Sequence, residues 1–90
     1  MNYIDKLAAA QKWIEDSGLP ERDILSVVIN NTFDLPPRIQ IDSIAFLTMF
    51  RGRKVKRNIR GNNTHYEFTD GTIEVTSCKR ENEPSEIVTI

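Results

Sequence analysis

The stretch Tyr66-Glu67-Phe68-Thr69-Asp70-Gly71-Thr72-Ile73-Glu74-Val75 constrains the fold more than any other part of the chain. Apolar and polar residues alternate on both sides of an Asp-Gly pair, the signal of an antiparallel hairpin with a tight type I′ turn. A two-residue turn pairs Phe68 with Ile73 and Tyr66 with Val75, which makes one apolar face. The same register sets Glu67 opposite Glu74 on the other face. Like charges placed directly opposite repel, so a basic neighbour is needed beside them.

That neighbour lies just upstream. Residues 51–60 read RGRKVKRNIR, with six Lys or Arg and no acid, although the whole chain has only twelve basic residues. Val55, Arg57 and Ile59 alternate with Lys54, Lys56, Asn58 and Arg60. A turn at Gly61-Asn62 puts Val55 opposite Phe68 and Lys56 opposite Glu67; a turn at Asn62-Asn63 shifts the partners but keeps each residue on its face. The expectation is a three-stranded antiparallel meander over about 54–60, 64–69 and 72–78, with a possible short fourth strand at 86–90. Lys54 and Lys56 would then offset Glu67 and Glu74, and Tyr66 and Phe68 would face the core.

Upstream the periodicity is helical. Over 3–17, Tyr3, Leu7, Ala10 and Ile14 form an apolar stripe flanked by Ile4 and Trp13, with Asn2 as N-cap and Gly18 as the residue that ends the helix. Pro20 suits the first position of a second helix over 20–30, with Glu21 and Asp23 near its positive end. Leu25-Ser26-Val27-Val28-Ile29 is rich in β-branched residues, and strand is the competing reading there. Pro36-Pro37 imposes an extended connection. A third helix is expected over 43–51, with strand again the competitor: Asp42 caps it, Ile41 and Phe46 form a hydrophobic staple, and Gly52 stops it. Its apolar residues surround the axis, which implies burial on most sides. The fold class is therefore α+β, with N-terminal helices packed on the apolar face of a C-terminal meander.

At 90 residues the chain makes one small domain, 1–90. Its single cysteine, Cys78, excludes an internal disulfide and suits a reducing cytosol. The N-terminus carries acids early and lacks the apolar run of a signal peptide. The longest apolar run is four residues, 44–47, too short for a membrane span. Net charge is −1, but residues 1–50 carry −3, residues 51–60 carry +6 and residues 61–90 carry −4. A basic block sits between two acidic flanks.

No catalytic constellation or cofactor motif stands out. His65 is the only histidine, and a lone histidine makes no zinc site. Cys78 lies beside Lys79 and Arg80, and reads as a structural thiol. The four glycines are isolated and form no phosphate loop. We expect no enzyme, no cofactor and no metal. The expected function is binding or regulation through Arg51, Arg53, Arg57 and Arg60, assisted by Lys54 and Lys56, on a nucleic-acid backbone or an acidic protein surface. The alternative is a protein-binding inhibitor or accessory protein of the phage or mobile-element type, including inhibitors of host defence, which works by occluding a partner's surface. The acidic tail at Glu81, Glu83 and Glu86 suits a basic partner in that case.

The expected order, three helices and then a hairpin, is similar to that of winged-helix DNA-binding modules in order alone. The third helix argues against the likeness, since Ile44-Ala45-Phe46-Leu47 offers base edges nothing polar. A Lys- and Arg-laden strand blocks edge pairing, so a monomer or weak homodimer is expected.

Overall fold

The computed structural model describes residues 2–31, 35–79 and 86–89, with backbone alone for Arg60 and for 86–89. Helix α1 spans Tyr3–Ser17 and is followed by a 3-10 turn, Glu21–Asp23. Strands β1 (Ile24–Val28) and β2 (Arg38–Ile41) precede helix α2 (Ser43–Met49). Strands β3 (Lys54–Arg60), β4 (Asn63–Asp70), β5 (Ile73–Lys79) and β6 (Glu86–Thr89) complete the chain. One six-stranded sheet runs in the order β1-β2-β5-β4-β3-β6, and both helices contribute to the core on one side of it. The class is α+β, as the pattern predicts, but the sheet is twice as wide as the expected meander.

The helix ends follow local chemistry. Asn2 Oδ1 accepts from the Asp5 amide at 2.8 Å, and Gly18 takes φ 71° beyond the last turn of α1. Asp42 Oδ2 accepts from the amides of Ile44 at 3.0 Å and Ala45 at 3.3 Å, so two orphan donors of α2 are satisfied by one carboxylate. Asp42→Ala is therefore expected to cost about 1 kcal/mol in a urea melt, while Asn58→Ala on the sheet should cost less.

One sequence expectation fails between the helices, and one strand there is unanticipated. The helix expected over 20–30 is instead the 3-10 turn and β1. The β-branched run takes the extended form because β2 offers it a partner, with Val27 opposite Ile39 and Val28 opposite Arg38. Pro36-Pro37 is an extended connection as predicted, but it also delivers a strand. The Pro37 carbonyl accepts the Glu74 amide at 2.9 Å, and β2 then runs parallel to β5 with Ile39 beside Val75. Proline is tolerated at that strand start because it gives up no ladder donor there.

The hairpin register also differs from the expectation. Asp70 pairs with Ile73, Thr69 with Glu74 and Phe68 with Val75, so the loop is Gly71-Thr72 and Gly71 takes φ 64°. This slip of two residues keeps every side chain on its face. It removes the Glu67–Glu74 opposition, because Glu67 now faces Thr76. By contrast, β3 and β4 pair in the first register considered, with Lys56 opposite Glu67 and the turn at Gly61-Asn62. Strand β6 pairs with β3 over the range predicted for a short fourth strand; Ile90 lies outside the described residues.

The core comprises Ala10, Ile39, Ile41, Phe46, Phe50, Val55, Tyr66, Ile73 and Val75. Phe46 packs on Phe50 at 4.8 Å between ring centroids and on Tyr66 at 5.7 Å. Helix α2 is not buried all round: Phe46 is fully buried, while Ile44 is 74% exposed. The buried side of α1 is rotated from the expected stripe. Lys6 and Ala10 are buried, whereas Tyr3 and Leu7 are each about 40% exposed. The Lys6 stem fills core space and its Nζ donates to the Asn30 carbonyl at 2.9 Å, which ties α1 to the segment after β1.

Candidate functional site

The basic block is divided by the fold. Its first part forms the corner between α2 and β3. Phe50 is buried at the end of α2, and its carbonyl accepts the Arg53 amide at 2.9 Å. Gly52 takes φ 81°, a left-handed conformation that L side chains rarely adopt, so glycine suits this bend. Arg51, Arg53 and Lys54 all emerge exposed from it. The Arg53 guanidinium lies 5.1 Å from the centroid of the Phe68 ring, and Phe68 rests on Phe50 at 4.5 Å. One cation of the corner is thus held against an aromatic pair while it stays exposed.

The remaining members of the block have other settings. Lys56 lies on the face opposite the helices, 4.0 Å from Glu67. Exposure of the lysine makes this a weak pair, but it offsets one charge. Lys54 and Lys56 border a hollow of about 280 Å³ with Glu67, Phe68, Thr69 and Glu74. Glu74 has a partner that alternation in the sequence does not supply: Arg38 Nη2 reaches its Oε1 at 3.0 Å. Arg57 is half-buried on the helix side of the sheet, opposite Tyr66 in β4 and Glu86 in β6, and it is not without a partner. Arg60 closes β3 at the end away from Lys54, which separates it from the corner by six residues, roughly 20 Å of strand. The six predicted site residues are therefore not one patch. Arg51, Arg53 and Lys54 are exposed at the same bend, Arg53 against Phe68 and Lys54 beside the polar-face hollow; Lys56 is next to them and weakly paired; Arg57 and Arg60 stand further along β3. Glu81 and Glu83 lie outside the described residues.

Tyr66 is buried and Phe68 half-buried, both on the helix side as expected. The polar face consequently offers Arg38, Gln40, His65, Glu67, Glu74 and Thr76 without those rings. The hairpin slip has one chemical consequence there. His65 faces Cys78, with Nε2 3.9 Å from Sγ, where the expected register would have placed Thr76. Only a comparison of both hairpin registers could have revealed the contact from the sequence. The hollow of about 330 Å³ beside His65 is lined by Ser26, Val28, Arg38, Gln40, Tyr66, Glu67, Thr76 and Ser77, and the thiol lies outside its lining. Among the described residues no three His, Cys, Asp or Glu side chains converge as a metal site.

A third hollow, about 540 Å³, lies between α1 and the β4–β5 turn, against Trp13, Met49 and Ile73. Trp13 Nε1 donates to Asp70 Oδ2 at 2.9 Å across its mouth. Among the described residues, no helix is long and apolar enough to cross a membrane. Compared with models of protein families, with curated proteins and with solved structures, the chain matches none.

Proposed function

We propose that this protein is a small non-enzymatic binding protein whose α2–β3 corner takes an anionic partner, and that the partner is a nucleic-acid backbone. The supporting observation is the exposure of Arg51, Arg53 and Lys54 within four residues, on a bend pinned by the Phe50–Arg53 backbone bond and by Phe68. Guanidinium groups match phosphate oxygens through paired donors, and a short fixed bend lowers the entropy lost on contact. Burial of Tyr66 and half-burial of Phe68 remove two stacking platforms for bases. Helix α2 buries Phe46 and Phe50 rather than presenting a reading surface to a groove. The contact is therefore with phosphates, and sequence preference is weak.

A fluorescence-anisotropy titration with a labelled 20-mer at low salt tests this. DNA and RNA are each used in single- and double-stranded form. The protein should bind at least one form, and the triple variant R51A/R53A/K54A should lose most of that affinity while its circular dichroism is unchanged. Absence of binding in all four forms would contradict the proposal. So would undiminished binding by the variant. A stoichiometric protein from the native host, retained equally by wild type and variant, would point to occlusion of a protein surface.

A further inference from the structure

We propose that β1 is an association edge, and that its partner is β1 of a second copy. The sheet ends at β1 and β6, so the basic strand β3 lies inside the sheet and guards neither edge. This removes the physical ground for expecting that Lys and Arg block edge pairing. The outer side of β1 has no neighbouring strand among the described residues, and an unpaired ladder of amides and carbonyls calls for an extended chain.

The edge carries no charged or proline guard. Residues 24–31 contain no charge and no proline. Leu25 is 55%, Val27 42% and Val28 44% exposed. One bulge between Ile24 and Ser26 disturbs the top of the strand and leaves Ser26–Val28 regular.

Neutrality and symmetry favour a second copy over a foreign peptide. A charged peptide finds no complementary side chain along residues 24–31, whereas two copies of a chain of net charge −1 repel each other little. An antiparallel two-fold pairing centred on Val27 sets Val27 against Val27 of the second copy and Ser26 against its Val28. Each exposed valine is then covered on its own face of the sheet, as an isologous contact requires. The contact is short, because five residues span roughly 17 Å. It falls below a standard-size interface, so the dimer is weak. The two basic corners would stand on opposite flanks of one continuous sheet.

Sedimentation velocity from 10 µM to 1 mM, with hydrogen exchange at both extremes, tests the proposal. The wild-type mass should rise from monomer towards dimer, and the β1 amides should gain protection at high concentration. Val27→Lys, at an exposed position, should remain monomeric throughout. A wild-type monomer at 1 mM would overturn the proposal. A dimer unaffected by Val27→Lys would do the same, as would a concentration-independent exchange rate in β1. Should the lysine variant fail to fold, the exchange comparison on wild-type protein decides the matter alone. Capture of a foreign extended peptide on β1 by a chain that stays monomeric would also overturn it.

Discussion

Phe46→Ala should lower stability by about 3–5 kcal/mol. Phe46 is fully buried, and it sits where Phe50 from its own helix and Tyr66 from β4 converge. Truncation removes the ring's transfer energy and leaves a cavity that two other aromatic rings cannot collapse into without tilting. A small domain has only about 5–15 kcal/mol in total, so this loss is a large share. The thermal midpoint should fall by at least about 15 °C, or the variant should be unfolded at room temperature. The control is on the same helix. Ile44 is 74% exposed, so Ile44→Ala should stay within about 0.5 kcal/mol of wild type. Equal losses for the two variants would mean that α2 is buried on both sides, as its composition alone suggests. Urea melts followed by circular dichroism separate the outcomes.

Salt dependence of binding has the second-largest expected effect. For duplex DNA, log K falls with log salt at a slope of about −0.9 per phosphate neutralised. If all six cations of residues 51–60 acted together, the slope would be about −5.4 and affinity would fall about 2,000-fold between 50 and 200 mM salt. The structure divides those six. Lys56 is offset by Glu67, Arg57 is half-buried, and Arg60 closes the far end of β3. Arg51, Arg53 and Lys54 remain at the corner. Three contacts give a slope near −3 and a loss of about 40-fold over the same range. The difference between these slopes is well outside the error of a titration, and it separates a corner from a stripe.

Features set by neighbouring residues are legible in the sequence alone. Asn2, Gly18 and Asp42 mark helix ends because a cap depends on atoms two or three residues away. The β3–β4 turn is narrowed by the sequence to two placements, Gly61-Asn62 or Asn62-Asn63, and the fold takes the first, with Gly61 at positive φ. The features that the sequence hides depend on distant partners. Leu25-Ser26-Val27-Val28 is extended because Ile39 and Arg38 of β2 pair with it. Strand β2 is only four residues long, and its parallel neighbour β5 lies 36 residues away. No local signal announces such a slot. The hairpin slip is invisible in the sequence because a shift of two residues leaves the apolar pattern unchanged. Lys6 reads as a surface residue by its charge, yet its stem packs inward and its ammonium finds a carbonyl. At the candidate site, alternation locates Lys54 and Lys56 on the polar face. The Arg53–Phe68 contact and the capture of Glu74 by Arg38 depend on tertiary placement, and no spacing in the sequence encodes them.

If three exposed cations at the α2–β3 corner hold a phosphate backbone, their number must appear in the salt dependence. The most direct measurement is the apparent Kd for whichever labelled 20-mer form binds, from 50 to 200 mM salt, for the wild type and for R51A/R53A/K54A. The expected log–log slope of affinity for the wild type is near −3 on a duplex or about −2 on a single strand, and near zero for the triple variant. A flat wild-type slope, or a steep slope that survives the three substitutions, would contradict the assignment of phosphate binding to this corner.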